Sequence, residues 1–163
     1  MKKFLALLAL PAVVTVSLAT PAMADDGAPA ATVEQQQIDG LSPEIQTVMN
    51  YVYAQLGKRY TPGAAGPNAF DCSGLTMMAY RQIGIELPHL SFTQATMGWK
   101  VDKNDIRPGD LLFFRGGQAP VRDLGHVTIA VSATEMISAP RRGVPVHKVG
   151  IPSNVQAVRR YVA

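Results

Sequence analysis

Apolar positions recur at helical spacing in the first half of the chain and gather into short runs in the second. Ile45, Val48, Met49, Val52, Tyr53 and Leu56 fall on one stripe, the i, i+3, i+4 repeat of a helix that buries one face. Ser42 supplies a capping oxygen, Pro43 a pre-set first helical φ and Glu44 a first-turn acid, and Gly57 ends the run. A second helix is predicted from Cys72 to about Ile83. Asp71 is placed to cap it, Leu75, Met78, Ala79, Gln82 and Ile83 mark its buried side, and Gly84 stops it. Ser91 is expected to cap a short third helix from Phe92 to about Met97. The stretch from Tyr60 to Phe70 holds Pro62, Gly63, Gly66 and Pro67, which excludes regular structure there.

The pattern then changes to strands. The turn signal Pro108-Gly109-Asp110 precedes the apolar run Leu111 to Phe114, and Val127 to Val131 and Met136 to Ala139 follow. Val144 to Lys148 reads as another strand, which Pro145 demotes toward a sheet edge. Val155 to Tyr161 closes the domain. Helices first and strands afterwards predict an α+β fold, an antiparallel sheet packed on a central helix.

Residues 1–24 read as a secretory signal peptide: Lys2 and Lys3, an apolar run from Phe4 to Leu18, then Ala22-Met23-Ala24 as the cleavage pattern. A membrane anchor fits less well, because the run is short of the ~20 residues a spanning helix needs. No Cys follows it to carry a lipid. Residues 25–40 are poor in sizeable apolar groups and read as a flexible leader, which leaves 41–163 as a single domain. The formal charge of +3 owes Lys2 and Lys3 to the signal peptide, so the basic balance implies no nucleic-acid partner. The mature chain is expected to be exported, free of the membrane and monomeric.

An exported chain with one cysteine, Cys72, has no internal disulfide to make, so the thiol is a buried filler, an intermolecular link or a reactive group. Its place favours the last. Cys72 opens a helix, whose positive N-terminal end favours thiolate over thiol, and Gly74 leaves room for a group to approach the sulfur. As a filler it would share the helix repeat with Leu75, a spacing it satisfies, but a filler has no use for the flanking Asp71 and Ser73-Gly74. A thiolate also needs a base. His126, at the start of an apolar strand, His89, in a Pro-containing loop, and His147, in the late Pro-containing segment, are the candidates, and a lone histidine near a strand is more often structural. Three scattered histidines and one cysteine give no metal-ligand spacing, and no cofactor is implied.

Three segments together resemble the NlpC/P60 cysteine-peptidase family. They are Tyr60 with Phe70-Asp71-Cys72-Ser73-Gly74-Leu75; Leu87-Pro88-His89-Leu90-Ser91-Phe92-Thr93-Gln94 with Arg107-Pro108-Gly109-Asp110-Leu111-Leu112-Phe113-Phe114; and Gly125-His126-Val127-Thr128-Ile129-Ala130-Val131 with Met136-Ile137-Ser138-Ala139-Pro140-Arg141-Arg142-Gly143. The resemblance covers roughly 42–162. It implies a papain-like α+β fold and hydrolysis of peptidoglycan stem peptides, often between D-γ-glutamate and a diamino acid, in the cell wall or a periplasm-like compartment. It further implies Cys72 as nucleophile, His126 as base and Ser138 at the third catalytic position. Tyr60, Asp71 and Ser73, with His89 and Ser91, fall on the substrate-binding side; Asp71 is then contested between helix cap and ligand for an ammonium group.

The sequence departs from the family pattern in three places. Ser138 stands where His is common, and a hydroxyl polarises the base less, so reduced activity is expected. His89 stands where Arg is common, and Thr61 to Ala65 replace an aromatic and paired glycines. The alternative these departures leave open is a domain that binds wall peptides without cutting them.

Overall fold

The computed structural model describes residues 38–116 and 124–163. The signal peptide and most of the leader lie outside the described residues. Ile38, within the stretch read as leader, is buried in the core, and its carbonyl accepts from the Leu41 N–H.

Helix α1 spans Pro43–Tyr53, with the Ser42 hydroxyl accepting from the Ile45 N–H and Ile45, Val48, Met49 and Val52 buried. It stops short of the predicted end. The chain leaves the helix in turns, so Leu56, expected on the core stripe, is instead exposed. Gly57 adopts φ +81° and donates its N–H to Val146.

Helix α2 spans Cys72–Arg81. Its buried face differs from the one the apolar pattern predicts: Leu75, Thr76, Ala79 and Tyr80 are buried, Met78 only half so, and Gln82 is exposed. Two polar residues turn inward because their hydroxyls find partners. Thr76 donates to the Gln94 side chain at 2.8 Å, and Tyr80 donates to the Gly109 carbonyl. Helix α3 is only Ser91–Gln94, shorter than expected, and its cap is Leu90 with no side-chain bond. The Ser91 hydroxyl donates instead to the Leu124 carbonyl at 2.8 Å, tying α3 to the approach to a strand.

The Pro/Gly-rich stretch, expected to lack regular structure, does contain a minimal one. Strands β1 (Arg59–Tyr60) and β2 (Ala69–Phe70) pair in parallel and close the loop between them. The main sheet is antiparallel. Its strands are β3 (Trp99–Lys100), β4 (Leu111–Phe114), β5 (His126–Ala130), β6 (Glu135–Ser138), β7 (His147–Gly150) and β8 (Ala157–Arg160), in the spatial order β3-β8-β4-β5-β6-β7. β3 was not predicted. β7 lies at the sheet edge as expected but starts three residues later than Val144, which places Pro145 outside the ladder.

Strand β4 is central and buried on both faces, which accounts for its unbroken apolar run. Leu111 and Phe113 join the core shared with the helices, with Val127, Ile129 and Ile137. Leu112 and Phe114 face the other way, into a second cluster with Ile106, Ala130, Met136 and Val158. Helix α2 packs on β5, and α1 packs on α2. That arrangement brings the first residue of α2 to the start of β5. No helix among the described residues is long and apolar enough to cross a membrane.

Candidate active site

Helix α2 begins at Cys72 because Asp71 fixes its first turn. One Asp71 oxygen accepts from the Gly74 N–H at 2.7 Å and the other from the Gly63 N–H at 2.7 Å, so the cap also holds the preceding loop. The first oxygen further accepts from the Ser73 hydroxyl at 3.3 Å and lies 2.8 Å from His89 Nε2. Asp71 is therefore the helix cap and the centre of a polar cluster that includes Ser73 and His89.

Gly74 has a different reason from the one its position suggests. A Cβ there would meet the Ala64 carbonyl oxygen at 2.2 Å and His89 Nε2 at 2.9 Å. The space it leaves is filled by the loop and by His89, and is not an approach to the sulfur. Gly74→Ala is thus expected to destabilise the fold by about 1–3 kcal/mol, the usual cost of overpacking where backbone must yield. Urea unfolding measures it, and an unchanged midpoint would show that the loop gives way freely.

The Cys72 thiol is half-buried, and burial pushes its pKa up, with the Asp71 carboxylate adding to the rise. The N–H groups of Val127, Ser73 and Cys72 act in the opposite direction without overcoming it. The helix N-terminus was expected to favour thiolate. In the folded protein loss of water around the sulfur opposes that field, because burial disfavours the anion.

His126 begins β5, one residue before Val127, whose backbone acts to lower the Cys72 pKa. Its Nε2 is 3.1 Å from the hydroxyl of Ser138, which is buried at the end of β6. Burial pushes His126 down to about 4, so the ring is neutral at pH 7 and able to accept a proton. Histidine in an unfolded chain titrates near about 6.5. Between these values the unfolded chain binds a proton that the folded chain refuses. Stability should therefore be full above about pH 6.5 and fall as pH drops toward about 4, by on the order of 3 kcal/mol. Unfolding by urea at pH 7 and at pH 4.5, in wild type and His126→Gln, checks the sign. Equal slopes in the two proteins would assign the acid loss to other groups.

Cys72 and His126 open onto one cleft of about 730 Å³, together with Tyr60, Pro62, Gly125 and Pro140. Burial raises the Tyr60 pKa, and nearby Cys72 and Asp71 add to it while Arg142 opposes. Ser73, His89 and Ser91 do not line this cleft: the first two are bonded to Asp71, and Ser91 is buried against Leu124. Arg115, Arg141 and Arg142 also line it; the resemblance takes in Arg141 and Arg142 without giving them a role, and Arg115 lies outside its segments. An arginine pair in a loop ordinarily reads as solvated surface, and nothing local to the sequence marks these three as neighbours. Among the described residues no group of His, Cys, Asp and Glu is placed to hold a metal ion.

Comparison with known proteins decides what this geometry belongs to. Residues 57–159 match the NlpC/P60 family profile, more than half of the chain. The chain belongs to the NlpC/P60 family. A probable endopeptidase of Mycobacterium bovis is 37% identical over 127 residues, covering 77% of this chain and 31% of that protein. The probable endopeptidase p60 of Listeria grayi is 39% identical over 94 residues, 58% of this chain and 18% of that one. The chain thus spans less than a third of the length of these curated relatives. Among solved structures, an NlpC/P60 family protein from Bacillus cereus superposes with a TM-score of 0.68 at 30% identity, covering 78% of this chain and 43% of that one. NlpC1 of Trichomonas vaginalis gives a TM-score of 0.68 at 32% identity, over 76% and 46%. NlpC/P60 neighbours at these identities agree with the α+β architecture of helices on an antiparallel sheet.

Proposed function

We propose that this domain is an exported thiol endopeptidase that cuts peptidoglycan stem peptides, at the bond between D-γ-glutamate and the diamino acid. The observation that carries the reading is the single free thiol, at the first residue of α2, sharing one cleft with a neutral histidine that is backed by a buried hydroxyl. The naming of the relatives as probable endopeptidases supports it.

On this reading His126 takes the Cys72 proton as the sulfur attacks the scissile carbonyl. The imidazolium that results donates from Nε2 to Ser138. The N–H groups at the start of α2 are unpaired within the helix, and on this reading they donate to the carbonyl oxygen as it becomes the tetrahedral oxyanion, where preorganised donors lower its energy. When the C–N bond breaks, the leaving amine takes the proton from His126 and a thioester remains on Cys72. Water, deprotonated by His126, then releases the acid and restores the thiol.

Among the described residues, three arginines and no carboxylate line the cleft. Stem peptides carry free carboxylates on both sides of the proposed bond, and guanidinium groups match carboxylates in bidentate geometry. Incubating the full chain with purified peptidoglycan and with a γ-D-glutamyl-diaminopimelate tripeptide, and reading fragments by mass spectrometry, tests the proposal. New amino ends support it. Binding to insoluble peptidoglycan with no fragments from either substrate would sink it in favour of a wall-binding domain.

A further inference from the structure

Ser138 is an unusual support for a catalytic histidine, and the sheet places a second histidine beside it. We infer that His147 is a positioning residue for the reaction, holding the Ser138 hydroxyl through one water molecule so that Ser138 can hold His126. The inference rests on the thiol-peptidase reading.

The register of β6 and β7 pairs Ser138 directly with His147, and Met136 with Val149. Directly opposed residues of an antiparallel pair share a face of the sheet, with Cβ atoms about 4.5–5.5 Å apart. His126, Ser138 and His147 accordingly line a single groove of about 300 Å³, walled on its apolar side by Phe114, Met136 and Val149. His126 thus borders two spaces: the cleft that holds Cys72, and this one. The space is an open groove rather than an enclosed cavity, so water reaches the polar groups on its wall directly from solvent.

Hydrogen-bond bookkeeping gives the direction. His147 Nδ1 is 2.9 Å from the Pro145 carbonyl. A carbonyl only accepts, so Nδ1 carries the proton, and in the neutral ring Nε2 is a bare acceptor. When His126 becomes imidazolium, its Nε2–H donates to the Ser138 oxygen 3.1 Å away. The Ser138 hydroxyl then has its own proton to place, and among the described residues its only bonding partner is His126. Donation through water to His147 Nε2 completes the chain His126–Ser138–water–His147. Each donor polarises the next, which strengthens the bond to the imidazolium by about 10–30% per link. No proton crosses Ser138, and no covalent bond forms or breaks in this chain.

The test combines kinetics on the γ-D-glutamyl-diaminopimelate tripeptide with ¹⁵N NMR of the imidazole rings, using the full chain. His147→Ala should lower kcat about three- to tenfold, the net worth of one hydrogen bond, with KM unchanged. His147→Gln, which retains an acceptor, should recover part of that loss. In a Ser138→Ala background His147→Ala should have no further effect, because the link it serves is already gone. In the NMR, His147→Ala should shift the His126 Nε2–H tautomer population of the free protein. An equal kcat loss with and without Ser138 would overturn the inference by making His147 merely structural, as would His126 signals indifferent to residue 147. If the wild type cuts nothing, the peptidase reading fails by itself, and the NMR still decides whether His147 and His126 are coupled.

Discussion

Cys72→Ala is expected to end release of new amino ends from peptidoglycan, a loss of about 10⁴-fold or more, while leaving the fold intact. Among the described residues that line the cleft, Cys72 carries the one thiol, next to a neutral histidine, and alanine retains the helix-forming backbone while removing just the sulfur. Asp71 still caps α2, because its bonds run to Gly74, Gly63, Ser73 and His89 and none to residue 72. Thermal unfolding by circular dichroism should therefore be close to wild type. His126→Ala should lose nearly as much, and the double variant no more than the worse single one, since groups that act as a unit are not additive. Rates from fragment analysis, with binding to insoluble peptidoglycan measured in parallel, provide the check. Residual cleavage by Cys72→Ala within tenfold of wild type would mean that another group does the chemistry.

The largest effect on stability is expected far from the thiol. Asp110 is fully buried, and its two oxygens accept from Arg160 Nε and Nη2, each at 2.8 Å, and from the Arg107 N–H at 2.9 Å. The carboxylate fastens β8 to the turn that starts β4, the strand against which β5 presents His126. Among the described residues, Asp110→Ala leaves a mostly buried guanidinium with the half-exposed Asp105 as its remaining charged partner. Removing one member of such a pair costs about 3–5 kcal/mol, because the remaining charge stays desolvated. Chemical denaturation measures this directly, with the exposed Asp105→Ala as a comparison that should move the midpoint far less. Equal shifts for the two variants would place the Arg160 charge effectively in solvent.

Much of the fold is legible along the chain. Ser42 with Pro43 and Asp71 before Cys72 mark two helix starts by local chemistry, since a cap needs only an oxygen three residues ahead of an orphan N–H. The run Leu111 to Phe114 announces a strand buried on both faces. The inward turn of Thr76 and Tyr80 is not legible, because a hydroxyl enters the core only where a distant acceptor waits, here Gln94 and Gly109. Ser91 misleads for the same reason. Its residue type suits a cap, and the partner that claims it lies 33 residues away.

The site divides along the same line. By itself the sequence determined the setting of the proposed nucleophile, with Cys72 at a capped helix start, and the placing of His126 at the head of a strand. Those depend on spacing over a few residues, which the backbone's own periodicity enforces. Only the tertiary structure decided that burial raises the thiol and lowers the imidazole, that Gly74 makes room for the Ala64 carbonyl, and that three arginines ring the cleft. It alone set Ser138 across from His147. Desolvation and strand register are properties of surfaces brought together from distant parts of the chain, and no local pattern of residues encodes which surfaces will meet.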